Sequence, residues 1–412
     1  MELLSTQSLV ESPFIIANIA GYTFGSYTGT SEKLYLGSSM KVDYPNYMKS
    51  LDVTKINGQV NLYTLKITYA ITQFDDPNMF ERIFSKIRDN REMTLTYGDW
   101  NSPAHIYKEE KTLITSIKNK VSIDSSKIEY TIQAVSTALS LNSAKYDFPQ
   151  RTGKVSDVLK ELIFTPEYGL QDIFTGMLSK SSVLTNNFIA SDDKEVTIEP
   201  KSATNVLDYM NHCLKYMAAD TNNDDTIIND STYMMFIVDD MKNEYGGPYF
   251  KVKKVGSSTN ISESESAWQI DVGYPGENFV TNFEIQNDET WSLLYDYQGE
   301  INQSHYIYRI DNAGNLTSTF SPSIARSKKL KTTTEKNKNW WTKMTQYPIT
   351  AKLTIKGLVR PTILMDYVKL NVLFYGNKHI SSGIYVITKQ EDSISSSGYK
   401  TTLTLLRIRG DE

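Results

Sequence analysis

The chain has 412 residues, 40% of them hydrophobic and 22% charged, with 43 lysines and arginines against 48 carboxylates and a formal net charge of −5. That length exceeds one ordinary core, the composition is that of a globular protein, and the acidic balance gives the whole molecule no electrostatic reason to hold a polyanion. A lone cysteine, Cys213, excludes an internal disulfide framework and a multi-cysteine zinc site, and no apolar run approaches the ~18 residues of a membrane span.

The first ten residues lack the basic start of a secretory signal, so an unprocessed chain in a reducing compartment is expected. Residues 33–74 read as strands, and Asn57-Gly58 tolerates the positive φ of a tight hairpin turn. Beyond it Leu62, Thr64, Lys66 and Thr68 share one face, and Tyr63, Leu65, Ile67 and Tyr69 the other. The period then changes: Asp75 or Asp76 caps, Pro77 opens, and Met79, Phe80, Ile83, Phe84 and Ile87 form one apolar helical stripe to lie on the preceding sheet. Strand-like sequence returns over 91–100 and 111–140.

A second helix is expected from Val155, Val158, Leu159, Leu162 and Ile163, and a third from Val206, Leu207, Met210, Cys213, Leu214 and Met217. Two strands follow, over 232–240 and 248–255, joined through Gly246-Gly247-Pro248. Residues 262–325 are polar and turn-rich with short β-like pieces, and residues 326–343 concentrate positive charge around Trp340-Trp341. The last strands begin near 348 and end in a long alternating hairpin over 381–407. No short tandem repeat is visible, but β regions at both ends give the chain a broad two-end symmetry. The fold expected is α+β, predominantly β.

Few residues offer chemistry. His105, His212, His305 and His379 lie far apart in sequence. Neighbours on a helix point about 100° apart, so His212 and Cys213 cannot face each other as base and nucleophile; a buried cysteine beside an exposed histidine is expected. Asp220, Asn222 and Asp224 imitate a calcium loop, but Asp225 stands where its sharp-turn glycine belongs and Ser231 where its bidentate glutamate belongs, which leaves a solvated loop. The carboxylate pairs Glu109-Glu110 and Asp239-Asp240 read as solvated faces, and the basic stretch 326–343 as a linker leading into a short helix whose tryptophans anchor the final domain. No nucleophile elbow, zinc-protease, P-loop or dinucleotide pattern occurs. The expectation is no catalytic residue, no metal, no cofactor and no enzyme.

A resemblance to a family enters at the C-terminal end. A strand closing on Gly357, a segment over 366–374, a strand with Ser382, Gly383, Tyr385 and Ile387, and a turn followed by Gly398, Tyr399, Thr401, Leu403, Leu405 and Arg407 together resemble the phage baseplate hub family. That family is similar to the first part of type VI spike proteins and of tail-associated lysozyme proteins. The helix over 154–163, the helix over 203–218 and the β region with its helix at 74–84 are similar in pattern to the family's middle region and first domain. The resemblance implies a first tube-like β domain with one packed helix (1–149), a mixed α+β domain (150–260), a polar β-containing segment and linker (261–343) and a second tube-like β domain (344–412). It implies two β-barrel-like domains per chain and a homotrimer that presents a pseudo-sixfold ring to a hexameric tail tube.

The partners so implied are the tail tube or distal tail protein, the central spike or tail-tip protein, and a tape measure protein. DNA would pass through the lumen without specific binding, and the protein, assembled in the host cytoplasm, would reside in the virion tail or baseplate. Interface candidates on this view are Tyr385, Tyr399, Arg407, Leu403, Tyr63 and Tyr69. A tail-tip cell-wall hydrolase, for which the chain leaves no room after the hub-like strands, and a host-glycan-binding tail protein are the alternatives.

Overall fold

The computed structural model describes residues 2–3, 12–26, 43–44, 46–70, 79–87, 90–99, 107–122, 124, 126–168, 195–214, 216, 232–241, 247–255, 268–274, 279–287, 306–310, 316–320, 349–357, 364–379 and 381–410. In chain order the elements that matter are β1 (Pro13–Ile19), β2 (Tyr22–Gly25), β3 (Met48–Ile56), β4 (Leu62–Ala70), α1 (Met79–Lys86), β5 (Glu92–Asp99), β6 (Tyr107–Ser122) and β7 (Lys127–Ser136). The middle of the chain gives α2 (Val155–Phe164), α3 (Val206–Leu214), β8 (Thr232–Val238) and β9 (Tyr249–Val255). The last part gives β10 (Trp268–Val272), β11 (Val280–Asn287), β12 (Ile349–Lys356), β13 (Tyr367–Phe374), β14 (Gly383–Ser395) and β15 (Gly398–Gly410).

Alternation decides the strands. In β4, Tyr63, Leu65 and Ile67 are buried while Leu62 is exposed and Thr64, Lys66 and Thr68 are half-buried, the two faces expected of a sheet with one side packed. The α1 helix covers the apolar side: Ile83 and Ile87 are buried, and the Phe84 ring meets Tyr130 of β7 at 4.5 Å. Residues 75–78, where its cap was expected, lie outside the described residues. The Asn57-Gly58 turn joins β3 to β4, with Gly58 at φ +69. A side chain there would be strained, and a Cβ would also meet the amide of Asn211.

The strand pairing contains a repeat. From β3 onward the first part pairs β3–β4–β7–β6–β5, every pair antiparallel. The last part pairs β11–β12–β15–β14–β13, again antiparallel throughout. In both, the chain visits five strands in the same order and places them in the same spatial sequence. Their irregularities coincide as well. The first pair slips register between Met48 and Ser50 in one set and between Val280 and Asn282 in the other. The long hairpin slips between Ile114 and Ser116 in one and between Ile387 and Lys389 in the other. In each of these hairpin bulges the extra residue is a threonine whose hydroxyl donates to a carbonyl across the pair, Thr115 to Gln133 at 3.1 Å and Thr388 to Thr404 at 3.2 Å. The correspondence stops at the far ends, where β1 joins β5 antiparallel but β10 joins β13 parallel.

Each set has its own core, and a third core lies in the middle region. Val155, Val158, Leu159, Leu162 and Ile163 of α2 pack with Val206, Leu207, Met210, Cys213 and Leu214 of α3 and with the inward residues of the β8–β9 hairpin. Both helices thus bury the stripes expected of them, with Met217 outside the described residues. The loop expected over 220–231 and the basic stretch 326–343 also lie outside the described residues. No described helix is long and apolar enough to cross a membrane.

Candidate functional site

The two strand sets are joined to each other. The outer half of β14 pairs with β3 from Lys389 opposite Ile56 to Ser395 opposite Ser50, so one sheet runs from β11 of the last part to β7 and β6 of the first. The inner half of β14 is taken by β13 on the same side. The seam is sealed on both faces. Outward, the Ser393 hydroxyl donates to Asp52 at 2.7 Å. Inward, Ile394 and Tyr399 from the C-terminal hairpin are buried in the core of the first set.

Beneath the seam lies a cluster of buried charge. Lys55 of β3 pairs with Glu110 of β6, and Tyr97 of β5 donates to the other Glu110 oxygen at 2.9 Å. Lys108 of β6 reaches Asp392 of β14 at 3.3 Å, and Asp392 also accepts from Gln390 at 2.5 Å and from Thr401 at 2.7 Å. The middle region adds a second carboxylate node. Asp239, just past β8, accepts from Asn61 at 2.7 Å, Tyr63 at 3.1 Å and Ser136 at 2.6 Å. The backbones follow: Glu110 and Asp240 form an antiparallel bridge, Met241 N–H donates to Glu109 at 2.7 Å, and Gly58 N–H donates to Met235 at 2.7 Å. Asn57 N–H donates to Thr388 at 3.0 Å, so the Asn57-Gly58 turn touches both other regions.

Charges at such depth persist only when paired. Desolvation works to lower the pKa of Lys55, but the Glu110 carboxylate outweighs it and leaves it raised. Desolvation wins at Lys108, which is lowered despite Asp392. At Glu110 desolvation is overcome by Lys55 and Lys108, and its pKa falls below the usual carboxylate range. Asp239 makes no salt bridge among the described residues; burial pushes it up to about 6 against the hydrogen bonds from Ser136 and Asn61 and the more distant charge of Lys55. These carboxylates have their oxygens committed to lysine, tyrosine, threonine and amide donors, an arrangement that latches three parts of the chain together.

Sequence reasoning placed these groups elsewhere. Glu110, Asp239 and Asp240 are not solvated faces but are buried, at 0%, 0% and 1% exposure, because the middle region lays its chain against β6. His212 is likewise not exposed: it is buried between the rings of Tyr209 and Tyr216, at 6.2 Å and 5.4 Å between centroids. Cys213 is buried as expected, and burial pushes its thiol up to about 12, far from a thiolate nucleophile. His379 is half-buried with Nδ1 2.7 Å from the Ser381 hydroxyl, and His105 and His305 lie outside the described residues.

Of the interface candidates, Tyr63, Tyr385, Tyr399 and Leu403 are covered by their own chain. Tyr63 serves the Asp239 node, Tyr385 donates to the Ser381 carbonyl at 2.6 Å, and Leu403 sits in the core of the last set. The Tyr399 ring occupies the space above Gly357, whose N–H donates to the Tyr399 carbonyl at 2.7 Å; a Cβ on Gly357 would collide with that ring. Arg407 is half-buried opposite Tyr385, and the Tyr69 side chain lies outside the described residues.

No protein-family model and no curated protein matches the sequence. Solved structures do match. A tail protein from Neisseria meningitidis MC58 superposes at TM-score 0.52 with 10% identity, covering 96% of this chain and 97% of that one. This chain has a tail-protein fold. The 43 kDa tail protein of prophage MuSo2 from Shewanella oneidensis matches at TM-score 0.49 and 10% identity over 97% and 100% of the two chains. An E. coli component of the type VI secretion system, described as structurally similar to the T4 bacteriophage tail proteins gp27 and gp5, matches at 0.44 and 8% over 93% and 79%. Within the tail-protein fold, the seam between β14 and β3 is where this chain commits its buried charge.

Proposed function

We propose that this is a structural protein of a phage tail, a hub whose copies close into a trimeric ring with pseudo-sixfold symmetry between a hexameric tail tube and a central spike or tail tip. The observation that carries the reading is the repeat of five strands joined edge to edge through β14 and β3. A chain that holds two equivalent strand sets side by side is a third of a six-unit ring, and three copies meet a sixfold partner with matching spacing. The units of that ring are the two strand sets, one within residues 1–149 and the other made by β11 together with the strands of residues 344–412. The middle α+β domain is the element latched beneath it through Asp239 and the β6 backbone.

The role is architectural. The buried carboxylates are engaged in holding regions together, and the sheet's outward rows, such as Thr64, Asp52, Ser393, Lys400 and Lys356 across five strands, are polar. Ring contacts would use these outward side chains and the strand edges, with Tyr63, Tyr385, Tyr399 and Leu403 supporting them from within. Sedimentation of the purified protein, alone and with tail tube protein, tests the role: a three-chain species that binds the tube end is expected, and a persistent monomer that ignores the tube would overturn it.

A further inference from the structure

The seam inside the chain specifies how two copies meet. In the last set, the outer half of β14 bonds to β15 on one side and to β3 on the other. Its counterpart in the first set is the outer half of β6, residues 116–122, which bonds to β7 on one side and, among the described residues, to no strand on the other. The counterpart of β3 is β11, which bonds to β12 and, among the described residues, to no other strand. A single copy therefore carries a β14-type edge at one end of its sheet and a β3-type edge at the other.

We infer that β6 of one copy pairs with β11 of the next, antiparallel, in the register that β14 and β3 use within the chain. Aligning the two sets on their shared bulges makes Lys118, Lys120 and Ser122 the counterparts of Glu391, Ser393 and Ser395. The same alignment, carried through β7, β4 and β3, makes Gln286, Glu284 and Asn282 the counterparts of Thr54, Asp52 and Ser50. Within the chain Glu391 faces Thr54, Ser393 faces Asp52 and Ser395 faces Ser50. Transferred between copies, the register sets Lys118 opposite Gln286, Lys120 opposite Glu284 and Ser122 opposite Asn282.

The result was not imposed by charge, yet it places a lysine opposite a glutamate. Lys120 and Glu284 are both exposed in the single chain, and opposite charges at facing positions of an antiparallel pair attract. Exposed lysines on an edge strand also serve to repel stray pairing, and that simpler role for Lys118 and Lys120 requires no complementary carboxylate at the matching position of β11. Because the two edges differ, the contact is heterologous and propagates head to tail until the rotation closes.

This inference rests on the ring reading, and the test separates the two. Facing residues of an antiparallel pair lie ~4.5–5.5 Å apart at Cα, within disulfide reach. A chain carrying both Lys118→Cys and Gln286→Cys should oxidise to a covalently closed three-chain species, while each single variant should not; Cys213 is buried and does not compete. Lys120→Glu and Glu284→Lys should each weaken association about tenfold, and the two together should restore it. A three-chain ring in solution without cross-linking or restoration would overturn the register and leave the ring. Cross-linking by either single variant would reveal a twofold contact and overturn the head-to-tail edge. A protein that stays monomeric would overturn both readings.

Discussion

Asp239 is a carboxylate held by three donors and, among the described residues, by no salt bridge, and burial raises its pKa to about 6. A raised folded-state pKa gives stability that is full below the unfolded value near 4 and is lost as pH rises through about 6. Acidifying from neutral pH to about pH 4.5 should therefore strengthen this node, by an amount on the order of 2–3 kcal/mol. Asp239→Asn should flatten that part of the melting-versus-pH curve and leave a protein more stable at neutral pH; an unchanged curve would show that Asp239 does not titrate there. Glu110 has the opposite sign: its lowered pKa gives stability present above the usual carboxylate range and lost as pH falls through its folded value. At the Lys108–Asp392 pair, Lys108→Ala should cost about 3–5 kcal/mol by stranding a buried carboxylate, whereas Lys108→Met with Asp392→Leu should recover most of it in denaturant titrations. None of this was legible in the sequence. The partners are 13 residues apart for Tyr97 and Glu110 but 284 apart for Lys108 and Asp392, and no local pattern links them.

At the scale of elements, periodicity was enough. The alternation of β4, the stripes of α2 and α3, the β8–β9 hairpin and the C-terminal hairpin all follow from which residues must face a core. The repeat was visible only as a two-end symmetry of strand-rich regions, because pairing constrains inward and outward alternation rather than identity: Lys118 answers to Glu391 and Lys120 to Ser393. What the two sets share is order, register and the position of a bulge, properties that exist only once strands are paired. Two substitutions test the elements. Gly357→Ala should lower stability by about 1–3 kcal/mol, since its Cβ meets the Tyr399 ring, and Tyr399→Ala in the same chain should relieve part of the loss as read by thermal melting. Leu403→Pro lies in β15 between β14 and β12 and removes a ladder donor from a central strand, so it should abolish folding of the last set and assembly with it. A Leu403→Pro variant that still assembled would show that β15 is not central.

For the whole molecule, net charge was a coarse guide. The chain is acidic by five charges, yet it concentrates both signs where strands meet: a buried cluster under the seam between its own halves, and Lys120 and Glu284 on edges that pair with no further strand among the described residues. The seam explains why Tyr399, an interface candidate taken from the C-terminal pattern, turned inward, while Tyr385 and Leu403 are held in the core of the last set. On the proposed reading, one copy is a segment of a closed sheet. Electron microscopy of the purified protein tests it most directly: a threefold ring whose wall is one continuous sheet, with β6 of each copy beside β11 of the next, is the predicted result, and isolated single copies with both edges open would contradict it.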